Sequence, residues 1–262
     1  MSVFQQLAAM PILSQLKAIY ETRGFRIVTG ITAYFSNSRR SEATHLLGDQ
    51  GVQGWGVMTH HMGITLKEVY FLENLFQVLS PASALVIGNS FGWSTFAVSL
   101  LNPDANVVAV EAGEEEFTAQ WIEHTNRIAG EEGLAVTVLK GRSPDLVPEA
   151  IRNHLKGSVE FAFIDGDHSH DAMLADYRAI RKFATPRTVY MFHDVALFNL
   201  HDAARIVAEE SGLRGRLLWA TDSGIFLVFD ATQHPALERL TQDFGGDELS
   251  MGILNAYQKM SS

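Results

Sequence analysis

Four ionisable side chains crowd one stretch of this 262-residue chain, in the order Phe161-Ala-Phe-Ile-Asp165-Gly-Asp167-His168-Ser-His170. A second pair, His193-Asp194, follows another apolar run that ends in Met191-Phe192. Carboxylates and imidazoles move protons near neutral pH, and they hold divalent cations. General acid–base chemistry, metal binding or both are therefore open to these groups. Asp167 and His168 are the candidate bases. Asp167 comes first if a metal is bound, and His168 gains if none is, since an unperturbed imidazole titrates near neutrality. Asp165, His193 and Asp194 are the candidate metal ligands. Asp167 or Ser169 also suits the cap of a following helix, which leaves the other polar groups without a use.

A different cluster precedes it. Gly88-Asn89-Ser90-Phe91-Gly92-Trp93-Ser94 closes one apolar run, and Glu111 closes the next. Glycines there let the chain turn sharply and a ligand approach closely. The N-terminus of a following helix offers free N–H groups, and a carboxylate at the end of the second run can accept both hydroxyls of a ribose. The spacing is Gly-x-x-x-Gly, so the tighter dinucleotide fingerprint is absent, and no Walker-type phosphate loop occurs.

The elements that must position these groups follow from periodicity. Apolar runs at 84–88, 106–111, 134–139, 159–165 and 188–193 read as strands buried on both faces. Helical stretches at 94–101, 114–129 (stopping at Gly130), 144–154 and 171–183 alternate with them. Runs 214–220 and 225–230 flank Thr221-Asp222-Ser223-Gly224, a hairpin signal. The implied fold is α/β, a Rossmann-like, doubly wound, mostly parallel sheet of seven strands that ends in an antiparallel hairpin. Such sheets bind ligands at the carboxyl ends of their strands, where all the residues above fall.

Ahead of this core the pattern differs. Residues 3–21 read as an amphipathic helix and 27–35 as a strand or extended segment. Residues 48–63 read as a glycine-rich loop containing Trp55 and His60-His61, a lid candidate, although a solvated histidine pair is the simpler expectation. A helix at 66–79 leads into the core. The expected division is 1–64 as an N-terminal extension, 65–232 as the core and 233–262 as a helical tail. Trp93 could stack beside a ligand, whereas Phe117 and Trp121 belong to the core, and His45, His124, His154, His201 and His234 to the surface.

Composition sets outer limits. With no cysteine, thiolate nucleophiles and thiolate metal sites are excluded. A net charge of −10 argues against nucleic-acid partners. No apolar run is long enough for a membrane helix, and residues 1–13 lack the basic start of a signal peptide, so a cytoplasmic location is expected. A small molecule is the expected partner. Contacts between copies are expected, if anywhere, at the N-terminal helix or at the tail, where 251–260 is amphipathic.

Taken together, residues 84–94, Glu111, 161–168 and 192–194 resemble the class I S-adenosylmethionine-dependent methyltransferases. The Ile-Asp-Gly-Asp-His segment with a later His-Asp pair is similar to the macrocin-type small-molecule O-methyltransferases. The resemblance covers about residues 65–230. It implies that Gly88, Asn89, Ser90 and Gly92 wrap the methionine part of the cofactor, with Trp93 and Ser94 at the helix start. Glu111 and Ala112 would meet the ribose, and Arg142 and Ser143 the adenine. Asp165 would meet the cofactor amine or Mg²⁺. Val86 stands where the family usually has an acid, and His193 stands where metal-dependent relatives often have one. The implied activity is methyl transfer to a small-molecule hydroxyl, with metal assistance open. A nicotinamide-dependent oxidoreductase is the alternative, weakened by the missing third glycine and the terminal hairpin. A non-catalytic cofactor-binding domain is another, supported only by Val86.

Overall fold

A computed structural model describes residues 10–34, 40–48 and 60–246 of the chain, and every structural statement below concerns these residues. Runs of Val, Ile, Ala and Phe without a polar face can be satisfied only by cover on both sides. Strands β4 (Ser83–Ile87), β5 (Asn106–Glu111), β6 (Val136–Lys140), β7 (Val159–Ile164) and β8 (Ala184–Phe192) meet that demand in one sheet. With β9 (Arg214–Leu218) and β10 (Ile225–Phe229), the strand order is β6-β5-β4-β7-β8-β10-β9. The first five strands run parallel, and β10 is antiparallel to both β8 and β9. The expected architecture is therefore present.

The chain winds outward from β4 to β6 and then returns to the other side of β4 as β7. Such a reversal opens a crevice at the carboxyl ends of the two central strands. The strands converge tightly there, with Asp165 N–H donating to Ile87 O at 2.9 Å and Gly88 N–H to Val110 O at 2.9 Å.

Helices cover both faces. One apolar core joins the sheet to α1 (Ile12–Glu21), α2 (Leu66–Val78), α3 (Trp93–Leu101) and α4 (Glu116–Glu132). The other joins it to α5 (Val147–His154), α6 (His170–Ile180) and α7 (His201–Ser211). Helix α8 (Pro235–Gly245) adds Leu237 to the first core. Val86, in the place of the family's acid, is fully buried in that core. None of these helices is long and apolar enough to cross a membrane.

Several boundaries move. Helix α4 runs through Gly130 and stops at Gly133, whose φ of +70° suits a helix end. A Cβ at Gly130 would meet nothing within 4 Å, so nothing there requires glycine, and a single one costs the helix only about 1 kcal/mol. The 27–35 segment is strand β1 (Phe25–Tyr34), paired antiparallel with β2 (Arg40–Gly48). The expected loop at 48–63 has strand at both ends, because His60–Gly63 forms β3 against β2. The His60-His61 backbone thus lies in a strand, while Trp55 and the rest of that loop fall outside the described residues. So do the start of the 3–21 helix and the 251–260 segment. His234 is buried rather than at the surface, with Nε2 2.8 Å from the Arg187 carbonyl oxygen.

Candidate active site

The glycine turn is built around one carboxylate. Glu111 Oε2 accepts the backbone N–H groups of Asn89 and Ser90, both at 2.9 Å, and Oε1 accepts that of Gly113 at 3.0 Å. Oε2 is thereby filled, and Oε1 keeps a lone pair for another donor. Ser90 adopts a φ of +45°, which costs energy in a non-glycine residue and persists only where neighbours impose it. Its Oγ is buried without a partner. From behind, Tyr20 of α1 donates its hydroxyl to Phe91 O at 3.1 Å. The Asn89 side chain is committed inward to Thr95 and Thr125, so only its backbone is free to serve a ligand.

Across the crevice, parallel pairing of β7 and β8 brings Asp165, His168 and Asp194 together. One donor atom from each lies within 4.8 Å of the others. His168 Nε2 is 3.1 Å from Asp194 Oδ2 and 3.4 Å from Asp165 Oδ1. Phe198 stacks on the His168 ring, with centroids 4.2 Å apart and planes 10° from parallel. Burial disfavours charge on His168, but hydrogen bonds and charge from Asp165 and Asp194 outweigh it and push its pKa up to about 9.

His193 lies beside this cluster. Its ring turns toward α2, placing Nε2 3.0 Å from Glu68 Oε2 and Nδ1 3.1 Å from Asp165 Oδ1. The Glu68 contact is a charge pairing without an aligned hydrogen bond. Burial opposes a charged imidazole, but the charges of Asp165, Glu68 and Asp194 raise the His193 pKa well above normal. The cluster with donor atoms closest together is Asp165, His168 and Asp194, and His193 Nδ1 borders it, 3.3 Å from Asp194 Oδ1.

Glu68 has no place in the sequence reading. It is fully buried, and it caps its own helix by accepting Thr65 N–H at 2.8 Å. It also accepts Ser223 N–H at 3.1 Å and the Ser223 hydroxyl. Burial raises a carboxyl pKa, but His193, Ser223 and Thr65 together bring that of Glu68 below normal. The Thr65-x-x-Glu68 spacing is a capping-box signature, so a local signal existed. Glu68→Ala is expected to cost about 3–5 kcal/mol, the usual penalty for stranding half of a buried pair. Urea unfolding would read this, and a loss under about 1 kcal/mol would contradict the pairing.

Both clusters open onto one cavity of about 650 Å³. Gly88, Asn89, Ser90, Ser94, Glu111 and Ala112 line one side, and Asp165, Asp167, His168, His193 and Asp194 line the other. Arg142 and Ser143 close the β6 end, where Arg142 is 73% exposed and paired with Glu114. Thr65 and Glu68 of α2 and Leu197-Phe198 after β8 complete the wall. Gly92 and Trp93, expected at the cofactor, do not line the cavity. Gly92 lies behind the turn against Thr125 and Phe96. Trp93 is 1% exposed, packed 5.8 Å from Tyr20, with Nε1 donating to Ile64 O at 3.1 Å. As the first residue of α3 it faces the core helices rather than the crevice. Asp167 is exposed at the rim.

Residues 85–195 match a family described as a methyltransferase domain, a span holding the turn, Glu111 and the carboxylate–imidazole cluster. The caffeoyl-CoA O-methyltransferase of Mesembryanthemum crystallinum is 30% identical over 119 residues, 43% of this chain and 42% of that protein. The match thus spans less than half the length of that relative. An O-methyltransferase from Bacillus cereus, solved with SAH, superposes with a TM-score of 0.53 at 21% identity, covering 65% of this chain and 84% of that one. TomG from Streptomyces achromogenes, involved in tomaymycin synthesis and solved with SAM, gives 0.50 at 18%, covering 65% and 82%. The core has the fold of these solved methyltransferases, and residues 85–195 within it match the methyltransferase-domain family.

Proposed function

We infer that the protein transfers a methyl group from S-adenosylmethionine to a hydroxyl of a small molecule. The observation that carries this is a single cavity with a carboxylate-clamped turn on one wall and a carboxylate–imidazole cluster on the other. The residues fit the cofactor. Glu111 Oε1 keeps a lone pair for a ribose hydroxyl, the buried Ser90 Oγ lacks a partner, and the turn presents its backbone to the cavity. When bound, the cofactor supplies a methyl group already activated on a sulfonium sulfur.

The chain's own work is then alignment and proton removal. Holding reactants in attack geometry is worth ~7–11 kcal/mol. Neutral His168 accepts the proton of the acceptor hydroxyl, while Asp165 and Asp194 stabilise the imidazolium so formed. Phe198 fixes the ring plane. Asp167 is too exposed and unpartnered for this task and stays at the rim. Leu197, Phe198 and the end of the 1–64 extension at Gly63 supply the acceptor side of the cavity.

A second reading assigns hydroxyl activation to a divalent cation held by Asp165, His168 and Asp194, and their clustering favours it. Carboxylates with one imidazole suit Mn²⁺ or Zn²⁺ better than Mg²⁺. Such an ion would lower the hydroxyl pKa.

Calorimetry separates these from the oxidoreductase alternative. S-adenosylhomocysteine is expected to bind and NAD to show no heat. Binding of NAD without S-adenosylhomocysteine would sink the proposal.

A further inference from the structure

The mechanism above leaves one buried acid unused. Asp176, on α6, is 3% exposed yet lines the cavity. The Ser143 hydroxyl, just past β6, donates to its Oδ1. Its Oδ2 faces Gly166, 3.7 Å from where a methyl at that position would stand. No donor from the described residues reaches Oδ2, and it is not sealed off as a buried orphan. No Lys or Arg pairs with Asp176. Burial and the charge of Asp167 push its pKa up to about 6 against the Ser143 hydrogen bond. A buried carboxylate with an open lone pair and no cation is costly to keep unless something donates to it.

Position identifies the donor. A ribose held on Glu111 carries its 5′ substituent and its base at opposite ends of the ring. The 5′ end must point to the side where transfer occurs, which is the cluster of Asp165, His168 and Asp194. The base is left to the β6 side, where Ala112, Ser143 and Asp176 lie. The only strong N–H donor on adenine is its exocyclic amine.

We propose that Asp176 selects the adenine base of the cofactor by accepting a hydrogen bond from the exocyclic amine, with Ser143 aiming the carboxylate. The assignment rests on the reading of this cavity as an S-adenosylmethionine site. A site built to accept from an N–H rejects an analogue that presents oxygen instead, because two acceptors then face each other. S-inosylhomocysteine is that analogue, differing by deamination of the base.

The test is calorimetry with both compounds on the full chain. The wild type is expected to bind S-adenosylhomocysteine at least about tenfold more tightly than the inosyl compound, the effect of one charged hydrogen bond. Asp176→Asn, whose amide can donate to the inosyl oxygen, is expected to reduce that ratio to about one. Should that variant fail to fold, Ser143→Ala keeps the carboxylate but loses its aiming donor, and the ratio is expected to fall part of the way. A purely structural role would weaken both ligands equally and leave the ratio intact in either variant, which would overturn the proposal. So would a wild type that binds both compounds alike. Failure of the wild type to bind either compound would refute the cofactor reading itself, and this assignment with it.

Discussion

Gly88→Ala is expected to abolish cofactor binding and to lower the unfolding temperature by roughly 10 °C. Gly88 ends β4 at φ +86°, where a Cβ alone costs ~1–2 kcal/mol. The added methyl would also overlap the Asp165 carbonyl oxygen and crowd its carbonyl carbon. Those are backbone atoms of the neighbouring strand, so relief requires β4 and β7 to part where both carry the site. A total of about 3 kcal/mol or more follows, at ~2–4 °C per kcal/mol for a chain of this size. Gly92 is the control. Its φ of +87° is similar, but its Cβ would meet the Thr125 hydroxyl at 2.8 Å, a side chain able to rotate. Gly92→Ala is expected to fold and bind more weakly without losing the site. Scanning calorimetry and ligand titration compare the two, and equal behaviour would contradict this reading of the turn.

His168→Ala is expected to reduce turnover by ~10²–10⁴-fold, the range for a positioned base, while changing S-adenosylhomocysteine affinity less than about threefold. The variant retains Glu111 and the turn, so binding and proton removal should separate. The pH dependence has a defined sign. The base must be neutral to act, and Asp165 and Asp194 hold the His168 pKa near 9 against the effect of burial. In chelator-treated enzyme, kcat/KM is therefore expected to rise with pH and level off near pH 9, with the rising limb lost in the variant. Loss of all activity on chelation, restored by Mn²⁺, would transfer the role to the cation reading. A flat profile with full activity in His168→Ala would exclude His168 from both.

The strands were legible because their apolar runs are buried on both faces, which leaves no competing period, whereas their order in the sheet came from the structure. The adjacency of Asp165 and Asp194 followed from parallel neighbours. The turn of His193 toward Glu68 had a readable cause. Val189 and Met191 face one core while Tyr190 and Phe192 face the other, so alternation carries His193 to the α2 side and onto Glu68. Spacing along β8 thus held the answer, but the identity of the waiting partner did not follow from it. Glu68 carries a capping-box spacing that the sequence reading did not use, and only the packing of α2 against the β9–β10 hairpin gives its second oxygen Ser223. Asp176 is one acid within an amphipathic helix, indistinguishable by type from solvated neighbours such as Asp171. Trp93 was misread because proximity to the turn in sequence says nothing about which face of α3 it occupies.

The central claim is that Glu111 and the carboxylate–imidazole cluster flank one cofactor. A crystal structure with S-adenosylhomocysteine tests this most directly. The account predicts a ribose hydroxyl within hydrogen-bond reach of Glu111 Oε1, about 2.5–3.0 Å. It also predicts the sulfur facing Asp165, His168 and Asp194 across open space for an acceptor. A ligand seated away from Glu111, or with its sulfur turned toward β6, would contradict it.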